Sequence, residues 1–454
     1  MRVINRAVLG ELVGREVDRY VESHPRSAAL HEQAAHLFGG VPMTWMSKWA
    51  GGFPLYLDTA HGCELVDVDG HHYVDFALGD TGAMAGHSPM ATVSAVAERA
   101  GTLGGITTML PTEDAEWVAA ELTRRFGLPR WSFTLSATDA NRWAIRLARL
   151  VTGRSKILVF SHCYHGSVDE TFIVVGPDGK PMSRPGNVGP PVDPTLTTRV
   201  AEFNDLEAVA AAMAHGDVAA ILTEPALTNI GIVLPDPGFL PGLRRLADDA
   251  GSVFIVDETH TFSAGPGGCT QAWGLDPDML TIGKSIGGGI ACGAYGLRSE
   301  IAAAISDHDQ ATADLVDVGG VGGTLAGNAL SVAAMRATLG AVLTDDAFIS
   351  MTAQAVRFTA GVQDVLDRYE LPWSVSRLGA RAEYRFAHPA PRSGGESAAA
   401  EDEQLDLFFH LYTCNRGILI TPFHNMALMC PETTVTHVDR HTEVFEAAVR
   451  ELVE

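Results

Sequence analysis

PDMLTIGKSIGGG, residues 277–289, runs an apolar segment into a single lysine, Lys284, and follows it with three glycines. Residues 279–282 read as a short buried strand, and 292–297, beyond the glycines, as another. Working outward toward the N-terminus, 252–257 reads as a strand after a helix at 240–250, and 219–223 as a strand after a helix at 206–213. Residues 156–160 form one more expected strand. Residues 131–135 form another, running into a helix at 138–151 whose Trp143, Leu147 and Leu150 share one face. Short β-rich runs alternating with helical patterns predict an α/β fold, a mainly parallel sheet with helices on both faces.

The polar residues fall where such strands end. SATDA (136–140) joins a strand to a helix, and small residues there bring backbone N–H groups and the helix dipole to bear on a phosphate. CYHG (163–166) sets Tyr164 and His165 just past a strand, where a flat ligand ring can stack. IVDETHT (255–261) ends a strand on Asp257 and Glu258. A buried carboxylate at that point keeps a pyridine nitrogen protonated and makes its ring an electron sink. Lys284, in an apolar setting, is a Schiff-base nucleophile, and Gly287, Gly288 and Gly289 permit close backbone approach to a bound group. Taken singly these are a helix cap, a loop aromatic, a turn carboxylate and a surface lysine. Together they make one pyridoxal 5′-phosphate site.

The order SATDA, CYHG, TEPA, DETHT, DMLTIGKSIGGG, GGTLAGN resembles class III (fold-type I) aminotransferases, in the branch containing glutamate-1-semialdehyde aminomutase and the β-amino-acid aminotransferases. The resemblance runs from about Phe53 to Asn328 and more weakly to the end. It implies a fold-type I architecture, a large domain with a mainly parallel seven-stranded sheet plus a small α+β domain. It assigns Lys284 to covalent attachment of the cofactor and to proton transfer, and Asp257 to the pyridine nitrogen. Tyr164 goes to ring stacking with His165 beside it, and Ser136, Ala137 and Thr138 to the phosphate. Glu224, in TEPA, takes a supporting acidic position, and Thr324, in GGTLAGN, reaches the phosphate across a homodimer interface.

The expected domains are 1–75 and 336–454 as the two parts of the small domain, with 76–335 as the large one. A hairpin is expected within 55–76 around the DVDG turn, and an amphipathic helix at 3–21. After Ala326 the pattern is one long helix to about Leu343. Residues 176–195 hold six prolines and read as an irregular excursion, a candidate lid, and 392–403 (RSGGESAAAEDE) read as a mobile acidic loop. Net charge is −23, which argues against nucleic acid or anionic membrane as a partner. Six cysteines without CxxC spacing suggest neither zinc nor disulfides, so no metal is expected. With no targeting segment and no long apolar run, a cytoplasmic protein is expected.

The residues after Glu258 read THTFSAGPGG, and no arginine follows Thr421–Pro422 in TPFHNMALMC. A site for a carboxylate normally supplies a bidentate arginine, and the nearest candidates are Lys48 and Arg381. Trp45, Met46, Phe423, His424, Met426 and Met429 form a largely apolar set. The expected donor is therefore a hydrophobic or aromatic primary amine, with a keto acid such as pyruvate as acceptor. The alternative is a β-amino-acid aminotransferase or a glutamate-1-semialdehyde-type 2,1-aminomutase.

Overall fold

The computed structural model describes residues 4–312 and 320–454. In chain order the strands are β1 (Leu57–His61), β2 (Glu64–Asp67), β3 (His72–Asp75), β4 (Arg130–Thr134), β5 (Lys156–Phe160) and β6 (Ile173–Val175). Next come β7 (Pro181–Ser183), β8 (Thr198–Ala201), β9 (Val218–Thr223), β10 (Val253–Asp257) and β11 (Met279–Gly283). The last are β12 (Gly293–Leu297), β13 (Ser374–Leu378), β14 (Arg381–Arg385), β15 (Ile418–Leu419) and β16 (Met426–Leu428). The chain forms two compact units: residues 90–345 with 391–399, and residues 1–89 with 346–390 and 400–454. The boundaries expected from sequence lay at 75/76 and 335/336.

The larger unit holds a seven-stranded sheet in the order β4-β12-β11-β10-β9-β5-β8. Six strands run one way; β12 alone is reversed, antiparallel to both β11 and β4. Only nine residues separate β11 from β12, too few for the crossover that a parallel neighbour needs. β9 and β10 are buried along their whole length and β5 all but its first residue, which is why they read as continuous apolar runs rather than alternating ones. Helix Ala137–Thr152 starts on Ser136, whose Oγ accepts from Asp139 N, and stops at Gly153 in the left-handed conformation. Its buried face carries Ala140, Asn141, Trp143, Ala144, Ile145, Leu147 and Ala148.

Two expectations change here. Residues 392–403 are not a loose acidic loop. Gly394–Ala399 is a helix packed in the large unit. Ser397 Oγ bonds the Ile230 carbonyl, Gly395 N donates to Glu202 at 3.1 Å and Arg392 pairs with Asp236. A Cβ on Gly394 would strike the Ser161 carbonyl, so the small residues that read as a linker permit close packing. The expected helix from 326 to 343 is shorter, Ala329–Ala337 followed by a π-turn at Thr338–Val342. Residues 176–195 contain part of the β6–β7 hairpin and a 3-10 turn at Pro194–Leu196 in otherwise irregular chain.

The smaller unit has a four-stranded sheet, β1-β2-β3-β15, and a three-stranded one, β13-β14-β16. The DVDG turn closes the β2–β3 hairpin, with His71 N donating to Asp67 Oδ1 at 2.9 Å. Helices Arg6–Ser23, Glu403–Cys414 and Val435–Val453 belong to this unit. Tyr20, Tyr73, Leu411, Cys414 and Leu419 form a small core within it.

Candidate functional site

Four of the segments singled out in the sequence lie at the same edge of the large sheet, the carboxyl ends of its parallel strands. Asp257 is the last residue of β10, Lys284 follows β11, Cys163–Gly166 follows β5 by two residues, and Glu224 follows β9. In the β10–β11 register Asp257 sits opposite Thr281, three residues before Lys284.

Asp257 is buried and held from three sides. His165 Nδ1 lies 2.8 Å from its Oδ2, Asn141 Nδ2 donates to the same oxygen at 2.7 Å, and Thr259 N donates to Oδ1 at 3.0 Å. Asn141 is itself oriented by Thr281, whose hydroxyl donates to Asn141 Oδ1 at 2.7 Å. Burial alone pushes the Asp257 carboxyl up, but the His165 ring and its other donors outweigh it and hold it below the ordinary carboxylate range. Desolvation works against a charged His165 as well. Cys163 and Asp257 overcome it and raise that histidine well above its usual value. The pair is an ion pair in the sheet's interior.

Asn141 was missed in the sequence reading. Its signal was a lone amide on the apolar face of the helix beginning at SATDA.

The sequence has four lysines. Lys48 is exposed, Lys156 pairs with Asp217 and Lys180 with Asp178. Lys284 alone stands at the strand ends beside Asp257. Its backbone is left-handed, φ 52°, a conformation that costs a non-glycine residue energy and often marks a functional position. Its Nζ lies 2.8 Å from His260 Nε2. His260 belongs to DETHT but received no role from sequence, because nothing in the spacing of 260 and 284 shows that they touch.

Ser136, Ala137 and Thr138 form the first turn of their helix, where N–H groups have no partner within the helix. Two glycines crowd this turn. A Cβ on Gly283 would lie 2.8 Å from Ala137 N, and one on Gly166 (φ 77°) would overlap Thr138 Oγ1. Tyr164 is half-buried with its ring edge-on to Phe172. Its backbone N donates at 3.3 Å to Glu224, which also accepts from Thr228 at 2.5 Å. Burial raises the Glu224 pKa. Thr324 is exposed, in a turn whose Gly323 and Gly327 face Trp143 and Phe133.

Gly287 and Gly288 are closely packed within the protein: a Cβ on Gly287 would meet Cys292 Sγ at 2.5 Å, and one on Gly288 the Thr338 hydroxyl at 2.6 Å, whereas one on Gly289 would meet no heavy atom within 4 Å. The apolar set proposed around the substrate is divided. Trp45 and Phe423 do meet, ring centroids 5.6 Å apart, but Met426 and Met429 are core residues at 1% and 0% exposure. Arg381 is equally buried and bonds the Thr81 hydroxyl, and Lys48 is exposed.

The donor set fits pyridoxal phosphate: a helix start for a dianion, an ionised buried acid for a pyridine nitrogen, an aromatic ring and a lysine amine. Among the described residues no helix is long and apolar enough to cross a membrane. The family model for class-III aminotransferases matches residues 45–449. A glutamate-1-semialdehyde 2,1-aminomutase of Chloroflexus aggregans is 34% identical over 89% of this chain and 92% of its own. The crystal structure of a glutamate-1-semialdehyde aminomutase from Pseudomonas aeruginosa PAO1 in complex with PMP is 46% identical. Its TM-score is 0.95 and it covers 99% of both chains. An omega-transaminase from Sphaerobacter thermophilus is 28% identical with a TM-score of 0.83, covering 94% of this chain and 97% of its own. The chain therefore belongs to the class-III aminotransferases, pyridoxal-phosphate-dependent enzymes of fold type I.

Proposed function

We propose that this enzyme is an aminomutase of the glutamate-1-semialdehyde 2,1-type, which exchanges an amine and a carbonyl between neighbouring carbons of one small carboxylate-bearing molecule. The observation that carries this reading is kinship at full length, 46% identity over 99% of both chains to a protein described as such an aminomutase. The primary-amine reading rested on an apolar side-chain set, and two of its methionines belong to the core.

Pyridoxal phosphate, when bound, supplies an electrophilic carbonyl and a ring that takes up the electron pair of a broken C–H bond. We assign its phosphate to the helix start at Ser136, Ala137 and Thr138, and its ring face to Tyr164. Asp257, charged and braced by His165 and Asn141, keeps the pyridine nitrogen protonated. Glu224 fixes the backbone of Tyr164. Lys284 provides the covalent anchor and, once released, moves a proton on and off the reacting carbon. The His260 ring, with Nε2 2.8 Å from Lys284 Nζ, positions the amine. Thr324 reaches the phosphate of a second copy in a homodimer.

The test supplies glutamate-1-semialdehyde to the pyridoxamine form with no keto acid present. Continuous formation of the isomer with amine and carbonyl exchanged is expected. Absence of the isomer, with brisk turnover of a hydrophobic primary amine and pyruvate, would overturn the aminomutase reading in favour of an amine transaminase.

A further inference from the structure

In the smaller unit, three ligand-bearing side chains converge from separate places. His24 lies between helices Arg6–Ser23 and Pro25–Glu32, Asp67 ends β2, and His71 precedes β3. One ligand atom from each of His24, Asp67 and His71 lies within 4.8 Å of the other two. Two of the separations are 3.5 Å (His24 to Asp67) and 3.1 Å (His71 to Asp67). Around a tetrahedral ion with bonds of about 2.0–2.1 Å, ligand atoms stand about 3.3 Å apart. Among the described residues this is the one such grouping of three.

The hydrogen bonds fix where the lone pairs point. His24 Nδ1 is 2.7 Å from the Tyr20 carbonyl oxygen. A carbonyl only accepts, so Nδ1 carries the hydrogen and the neutral ring presents a bare lone pair at Nε2. A backbone carbonyl orients many metal-bound histidines in the same way. The Tyr73 hydroxyl then stands 2.8 Å from His24 Nε2 and 2.8 Å from Asp67 Oδ2. It has one proton for two acceptors, and while Asp67 takes it the lone pair at His24 Nε2 is left without it. His24 and Asp67 are buried, whereas His71 keeps 39% of its side chain exposed, which leaves a route in from solvent.

We propose that His24 Nε2, Asp67 Oδ2 and His71 Nδ1 bind one divalent transition-metal ion of the zinc class. The Tyr73 hydroxyl stands beside them as a fourth group. Two imidazoles and a carboxylate suit zinc, cobalt or nickel rather than magnesium or calcium. Without the ion, His71 donates its Nδ1 hydrogen to Asp67. On binding, that proton passes to the solvent-facing Nε2 and the freed lone pair joins the ion. The site ties the N-terminal helices to the β2–β3 hairpin. Sequence spacing could not display it, because His24 and Asp67 are 43 positions apart.

The test uses the full-length holoenzyme, stripped with EDTA, desalted and titrated with Co2+. One ion per chain is expected, with the intense visible absorption of four-coordinate cobalt, displaced by Zn2+. His71→Ala changes a partly exposed residue, so its circular dichroism and cofactor absorbance should match wild type, while cobalt affinity falls about tenfold or more. His24→Gln should abolish the four-coordinate spectrum. If that variant does not fold, His71→Ala decides. No saturable uptake by wild type at millimolar Co2+, or equal uptake by wild type and His71→Ala, would overturn the site.

Discussion

Asp257 and Glu258 are consecutive carboxylates, both buried, at the end of one strand, and their surroundings drive them in opposite directions. Asp257 meets His165 and Asn141 and is held below the ordinary carboxylate range. Glu258 accepts from Thr261 and Thr270 hydroxyls at 2.5 and 2.6 Å and from the backbone N of Cys269 and Thr270 at 3.2 and 2.5 Å. Desolvation outweighs these four neutral donors and its pKa rises. Four neutral hydrogen bonds do not replace one charged partner in a dry interior. His165 therefore keeps Asp257 charged, and Glu258 fastens the Thr261–Thr270 loop to the strand.

The sharpest way to break this contrast is to neutralise each carboxylate in turn. Asp257→Asn should keep the fold and bind cofactor but lose turnover by about a thousandfold, about 4 kcal/mol of barrier. Steady-state kinetics would show it. Glu258→Gln should leave kcat nearly unchanged and lower the denaturation midpoint through about 1 kcal/mol of lost hydrogen bonding. Equal kinetic damage in both variants would remove the distinction.

His441 extends the comparison to a buried titratable group with no partner. Its two ring nitrogens find no hydrogen bond among the described residues, and it lies against Phe76, Phe358 and Phe445. Burial lowers its pKa from 6.5 to about 3. A histidine depressed in the folded state stays neutral there while the unfolded chain takes up a proton, so stability is lost as pH falls below 6.5. The slope is at most about 1.4 kcal/mol per pH unit. His441→Phe should remove that share, about 2 kcal/mol between pH 7 and 5, as read by urea denaturation at the two pH values. An unchanged pH slope would mean that His441 is not the group responsible.

Most of the large unit was legible because its strands are buried on both faces and announce themselves as apolar runs between helices. β5 (Lys156–Phe160) and helix Leu206–Met213 lie where the periodicity put them. What stayed hidden depended on tertiary contact. Asn141 and Asp257 are 116 residues apart and Lys284 and His260 are 24 apart, and no local pattern records either meeting. Composition misled at 392–403, since small residues that loosen a linker also allow a helix to pack tightly. It misled again at Met426 and Met429, whose apolar character served the core of the small unit and not a substrate.

Lys284 is the residue assigned to covalent attachment of pyridoxal phosphate, and borohydride reduction of the holoenzyme followed by peptide mass mapping reads that bond itself. The cofactor mass should appear on the peptide containing Lys284 and on none of those containing Lys48, Lys156 or Lys180. Recovery of the reduced cofactor on any of those three would contradict the account.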